Sequence, residues 1–551
     1  MLPSWCRSEP GGGPVLIIAP HGGLCARDLL APDPPASLRG NDLHTAELAR
    51  LLAERLDASL LVNDAADRNE VDLNRLDEVL ARAPWFLDAI GGHLERIVAR
   101  HGRAVVLVVH GWQIVQPRCD LGVGARLAAA DEAASRASRL TASPEFVAGT
   151  LERLRRATAE RGMETTYGVR WPAQHRNNVM QIFRRVAEHA PDVARRVREI
   201  AAHGCVDAVQ LELGAPLRYP GDWRGRLLEA VTAAFTASAP PSATGAVERR
   251  IDVEAGRERG DLAGSARDAA RAGVRGVALQ AFAEQPGGRG LGIVVGLGAM
   301  SPRELGARLL LFTGGQRVLL FTGHGRIDHG ANDRVGGLEA RSAPDGLTVR
   351  FQGPVLDVPD ASRHFRVEAA QLDARVVDLE LDLHFVPHGE SGYGALEGEA
   401  RAGRTRWRIA AHGFTEPVLA RPPAAGRSLR LTASFGSALG ITAELATGSD
   451  AGRLRCLTSR GVREHALAPA TAGIVPGRLA TAFEMQAHDG PRLRCTPLGH
   501  VSILRPGPAG RPLHVTFGAA RFELDGGERG GGFYEHAAPA VAPGAQHEEV
   551  A

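Results

Sequence analysis

The chain has 551 residues, of which 44% are apolar and 23% charged, with a formal net charge of +2. That length exceeds a single hydrophobic core and implies two or three domains, while the near-neutral balance excludes a global attraction to nucleic acid or an anionic membrane. All 65 basic residues are arginines, which excludes lysine Schiff-base chemistry and the lysine-dependent phosphate loop.

Met1 to Pro14 carries charge, proline and glycine but no apolar stretch, so no secretory signal is expected. No run of about 18 apolar residues offers a membrane span. Cys6, Cys25, Cys119, Cys205, Cys456 and Cys495 are scattered, with no Cys-x-x-Cys pair. This spacing argues against a zinc ribbon or a disulfide scaffold and fits reduced thiols in the cytoplasm.

From residue 14 to about 235, strand-like and helix-like patterns alternate. Val15–Ala19 is a short apolar run that stops at Pro20-His21-Gly22-Gly23. Thr45–Leu56 carries Leu48, Leu51, Leu52 and Leu56 at helical spacing, and Ser59–Val62 reads as a second strand. Phe86, Leu87, Ile90, Leu94 and Ile97 predict a helix over 85–100. Val105–Val109 is a buried-strand pattern ending at His110, and Val179, Ile182, Phe183 and Val186 predict another helix. Val206–Leu213 is a late strand containing Glu212. Such alternation predicts an α/β domain over 1–235 with a mostly parallel sheet, whose ligand site lies beyond the carboxyl ends of its strands.

Residues 236–272 mix proline, serine, alanine and charge and read as a linker. From about 273 the period becomes two. Val377, Leu379, Leu381, Leu383 and Phe385 alternate with Asp378, Glu380, Asp382 and His384, which predicts an all-β barrel or sandwich over 273–535. Residues 536–551 are rich in alanine, proline and glycine and are expected to be a disordered tail.

Chemistry concentrates in the first domain. His21 and His110 each follow an apolar strand, and two such histidines can hold a divalent metal. Asp42 is the leading third ligand, with Asp28 as the alternative; a competing role for Asp42 or Thr45 is to cap the helix that follows. Arg68, Asn74 and Arg75 form a candidate clamp for a carboxylate, since amide and guanidinium groups make planar, charge-assisted hydrogen bonds. The competing reading is a solvated charged loop. Asp72 is placed to orient an arginine. Glu212, flanked by apolar residues on a strand, is either a general base or half of an ion pair with Arg218 or another arginine. Together these residues suggest metal-assisted cleavage of a small acid.

In order, these segments resemble the N-formylglutamate amidohydrolase family: Pro20-His21-Gly22-Gly23, Asp42-Leu43-His44 with Glu47-Leu48, Arg68 with Val71-Asp72-Leu73-Asn74-Arg75, the strand ending at His110, Asp120-Leu121-Gly122, and Val209-Gln210-Leu211-Glu212. The resemblance covers roughly residues 14–235 and implies a layer related to the zinc carboxypeptidases. It implies one zinc ion (Zn2+) on His21, Asp42 and His110. It also implies that Asn74 and Arg75 hold the substrate carboxylate and that Glu212 activates water. The substrate would be a small N-acyl amino acid. Leu24 stands where carboxypeptidases carry glutamate, which leaves the third ligand between Asp42 and Asp28. Gly353-Pro354-Val355 and Gly392-Tyr393-Gly394 give the second domain a faint resemblance to lipocalin-like domains of carotenoid hydratase-type proteins, and an apolar ligand is the partner that resemblance implies. The rival to an enzyme is a non-catalytic binding protein that joins a degenerate hydrolase layer to such a barrel.

Overall fold

A computed structural model of the chain describes residues 2–24, 39–185, 192–236, 276–285, 289–301, 304–326, 333–361, 372–389, 392–417, 428–446, 452–458, 460–467, 482–506 and 512–539. They fall in two compact units, the first closing with a helix that ends at Thr236 and the second opening with a strand at Val277. Of the linker expected over 236–272, Thr236 instead ends that helix and the rest lies outside the described residues, as does Asp28.

The first unit is α/β. Its strands are β1 (Cys6–Glu9), β2 (Val15–Ala19), β3 (Ser59–Asn63), β4 (Ala104–Trp112), β5 (Arg118–Gly122), β6 (Glu164–Thr166) and β7 (Val206–Gly214). They form one sheet in the order β1-β3-β2-β4-β7-β5-β6. The β3-β2-β4-β7 centre is parallel; β1 joins β3 and β5 joins β7 antiparallel. The sheet is therefore mixed and mostly parallel. The edge strand β1 had no signal in its charged sequence.

Strand alternation sends successive residues to opposite faces, and both faces are covered. Ile17 and Ala19 pack with Leu48, Leu52 and Leu56 of helix α1 (Thr45–Leu56). Leu16 and Ile18 pack with Phe86, Ile90, Leu94 and Ile97 of the helix Pro84–His101. Burial on both faces explains why β2 and β4 read as continuous apolar runs. The helix predicted around Val179 is shorter than its pattern implied: a 3-10 helix runs from Val179 to Phe183, with the Asn178 side chain accepting from the N–H of Met180.

The second unit is all antiparallel. Strands β8 (Val277–Gln285), β9 (Arg289–Ser301), β10 (Glu304–Phe312), β11 (Val318–Arg326), β12 (Asp333–Val335), β13 (Leu338–Ala343), β14 (Gly346–Val358), β15 (Arg375–Pro387), β16 (Tyr393–Ala402) and β17 (Thr405–Pro417) form one sheet. A pairing of β11 with β14 closes eight of them into a barrel. On β15, Leu379, Leu381, Leu383 and Phe385 are buried while Glu380, Asp382 and His384 are exposed, as the period of two demands. A second sheet, a half-barrel, comprises β18 (Ser428–Phe435), β19 (Leu439–Ala446), β20 (Gly452–Thr458), β21 (Gly461–Leu467), β22 (Phe483–Gln486), β23 (Arg492–Pro506), β24 (Pro512–Leu524) and β25 (Arg529–Pro539). Of the tail expected over 536–551, residues 536–539 instead belong to β25, paired with β24, with His536 and Ala537 buried, and the rest lies outside the described residues. Their alanine-rich composition is carried by the ladder hydrogen bonds of a central strand.

Candidate metal centre and active site

Pairing register builds the site. His110 on β4 lies opposite Glu212 on β7, and Glu212 lies opposite Asp120 on β5. Three ionisable side chains thus stand side by side on one face of the sheet, across adjacent strands, beyond the apolar residues that fill the layer below. His21 follows β2, and Asp42 lies in the turn before α1. The N–H of Asp42 donates to the carbonyl of His21 (2.8 Å), and Thr45 Oγ1 donates to the Asp42 carbonyl (2.6 Å). The residue at the helix N-cap is His44, at φ 66°, with no side-chain cap. The carboxylate of Asp42 is therefore not spent on capping.

It meets the two imidazoles instead. Asp42 Oδ2 lies 3.2 Å from His21 Nδ1 and 3.0 Å from His110 Nδ1. The three residues are 4%, 1% and 2% exposed in that order, and among the described residues they form a group whose ligand atoms lie within 4.8 Å of one another. Two imidazole nitrogens and a carboxylate oxygen are the donors that zinc takes, and spacings of this size approach the edge of a tetrahedron with ligand bonds of about 2.1 Å. His110 Nε2 is buried without a hydrogen-bond partner among the described residues. The donor set fits a divalent ion.

Asp72 backs this group. Its Oδ1 lies 2.7 Å from His21 Nε2, and its Oδ2 accepts from Arg68 (3.0 Å) and Arg39 (3.0 Å). A carboxylate on the far nitrogen of a ligand histidine fixes the ring and its tautomer. Burial opposes the charge on Asp72, but the His21 ring and the Arg68 guanidinium outweigh it and hold the carboxyl well below the usual range. Asp42 is depressed in the same way: burial raises it, and hydrogen bonds from His110 and His21 win. Asp72 does orient an arginine, but its reach to His21, 51 positions away, had no signal in the sequence.

Glu212 is 7% exposed. Burial first, with the charges of Asp42 and Asp120 adding to it, pushes its carboxyl up to about 8. Gln210 Nε2 donates to its Oε1 (2.8 Å). It makes no ion pair among the described residues. Arg218, the partner weighed from sequence, is fully buried and donates to the Leu43 carbonyl and to Gln113 (3.4 Å). Asp120 accepts from Thr166 Oγ1 and from the N–H groups of Val169, Arg170 and Trp171 at 2.7–3.0 Å. It thereby pins the loop after β6 beside Glu212.

The candidate clamp divides. Arg68 reaches the centre, between Asp72 and, at 3.9 Å, Asp42. Asn74 is half-buried, and its Oδ1 has no hydrogen-bond partner among the described residues. Arg75 is not drawn in. Its side chain is 41% exposed and pairs with Asp77 (3.1 Å) and Glu78 (3.3 Å). The segment between is no solvated loop, since Val71, Asp72 and Leu73 are 8%, 1% and 0% exposed. Asn178 and Gln210, to which the sequence assigned no role, connect to Glu212 by hydrogen bonds. Gln210 had a readable signal, because two residues before Glu212 on a strand means the same face.

No family description matches the sequence, and no curated protein does. Among the described residues no helix is long and apolar enough to cross a membrane. The chain is similar in structure to N-formylglutamate amidohydrolase from Ralstonia eutropha JMP134, at 17% identity and a TM-score of 0.30, covering 42% of this chain and 96% of that one. It is also similar to kievitone hydratase from Nectria haematococca, at 8% identity and a TM-score of 0.31, covering 48% of this chain and 88% of that one.

Proposed function

We propose that the chain is a zinc-dependent amidohydrolase that cleaves an N-acyl or N-formyl amino acid, or a similar small acid. One arrangement carries this reading: the convergent His21–Asp42–His110 donor set, with Glu212 in register beside His110. Those three residues would hold the ion, which when bound would polarise the acyl carbonyl and acidify a water. Glu212 takes a proton from the attacking water and passes it to the leaving amine. The water oxygen bonds to the acyl carbon, the C–N bond breaks, and a carboxylate and a free amino acid leave.

Asn74 and Arg75 receive the substrate carboxylate. Arg75 is exposed, and a surface pair like that with Asp77 is worth about 0–1 kcal/mol, so exchanging partners is cheap. Arg68 is committed to Asp72 and instead offsets the paired carboxylates. The test is zinc content together with hydrolysis of an N-acyl amino acid panel. About one zinc per chain is expected, lost in His110→Ala, with activity abolished by a chelator and restored by zinc. A full-length protein that takes up no zinc under replete conditions overturns the reading.

A further inference from the structure

We propose that Asn178 and Gln210 are positioning residues that lock Glu212 as a hydrogen-bond acceptor, through a relay whose polarity starts at the backbone N–H of Met180. Side-chain amides can flip, so their direction must come from a group whose role is unambiguous. The N–H of Met180 is one, since it can only donate. It donates to Asn178 Oδ1 (2.8 Å). That leaves Asn178 Nδ2 to donate to Gln210 Oε1 (3.2 Å). Gln210, only 2% exposed, must then turn its Nε2 towards Glu212, where it donates to Oε1 (2.8 Å).

With Glu212 ionised, as a base must be, a flipped Gln210 amide would set oxygen against its carboxylate and repel it from the orientation the reaction needs. Gln210 and Glu212 share one face of β7, so the contact needs no backbone adjustment. The relay also begins in a segment tied to the proposed carboxylate-binding residues. Asn178 bridges Arg75, and the N–H of Val179 donates to the Asn74 carbonyl (3.1 Å). The catalytic consequence rests on the hydrolase reading; the lock itself does not.

Asn178→Asp tests it cleanly. The aspartate keeps an oxygen for the Met180 N–H, so the helix start survives, but it loses the Nδ2 donor and invites Gln210 to flip. A positioned base contributes about 10²–10⁴ in rate, and misorienting it should cost a tenfold to hundredfold fall in kcat, with KM and zinc content unchanged. In a Gln210→Met background, where no amide remains to flip, the same change should cost less than about twofold. A mere charge effect of the new aspartate would persist there and overturn the proposal.

An activity-independent arm follows the side-chain NH2 resonances in protein carrying 15N-glutamine, the Gln210 signal being the one that Gln210→Met removes. Glu212→Gln should move that signal in the wild-type background and leave it in place in Asn178→Asp. A signal moved equally in both backgrounds overturns the lock. If the wild-type protein hydrolyses nothing in the panel, the hydrolase reading fails while this arm still decides the relay.

Discussion

In the α/β unit, His21, Asp42, Asp72, His110, Asp120, Glu212 and Arg218 are each no more than 7% exposed. In the β unit, the pairs Arg350–Asp382, Arg401–Glu380 and Arg406–Glu399 join side chains that are all more than half exposed, on the outer wall of the barrel. Taking an ion out of water costs several kcal/mol even after relaxation, and apolar residues of similar volume often serve stability as well or better. A fold therefore has no need of the first arrangement and gets the second almost freely. The contrast fits the chemistry proposed for the first region and the closure of a sheet in the second, and it assigns different consequences to replacing a charge in each.

The largest effect belongs to Glu212. Glu212→Gln should lower kcat by about 10²–10⁴ while zinc stays bound; an unchanged rate removes Glu212 as the base. Stability should move the other way. The folded carboxyl is pushed up to about 8 by burial, above its ordinary value. Below the ordinary value the group is protonated in both states and costs nothing. As pH rises towards 8 the unfolded chain ionises first, and the folded state loses stability, on the order of a few kcal/mol. Measured on the metal-free protein, the Tm advantage of Glu212→Gln should be absent near pH 4 and grow up to about pH 8. A pH-independent difference contradicts the burial argument.

Much of this contrast was legible in the sequence, for physical reasons. A strand buried on both faces must be apolar throughout, so Val15–Ala19 and Val105–Val109 announce themselves, and a histidine or glutamate at their ends stands out. A half-buried strand must alternate, so the Leu379–Phe385 stretch reads directly as barrel wall. Thr45–Leu56 is bounded where its periodicity begins and ends. Contacts made by strand order were not legible. Asp120 beside Glu212 requires knowing that β5 returns antiparallel to β7, and Asp72 beside His21 requires knowing how the loop after β3 folds back. Arg75 could be read as a clamp candidate because it follows Asn74, but its surface pairs with Asp77 and Glu78 could not be read. Both sheets of the β half share a period, and nothing in a period of two tells which strand closes on which.

A smaller effect is expected at Asp72. Asp72→Asn keeps the size and one acceptor for His21 Nε2 but removes the charge that fixes the ring and neutralises Arg68. Losing the outer partner of a ligand histidine typically costs about 10–100-fold in metal affinity. Competition with a chromophoric chelator should show a loss of that size, with zinc still bound at saturation. Affinity equal to wild type would mean that His21 is oriented by its strand alone.

The smallest effect is expected on the barrel, and it tests the other side of the contrast. Arg401 donates to Glu380 across neighbouring strands (3.0 Å), with the two side chains 60% and 52% exposed. Water screens such a pair, and holding two long side chains in one geometry costs conformational entropy, so the coupling should be about 0.2–1 kcal/mol. A double-mutant cycle of Arg401→Ala and Glu380→Ala, read by denaturant unfolding, should return a value in that range that shrinks as salt rises. A salt-insensitive coupling above about 2 kcal/mol would place this outer wall among the strongly held charges. The difference between the two units would then lie in what their charges do, and no longer in how firmly they are held.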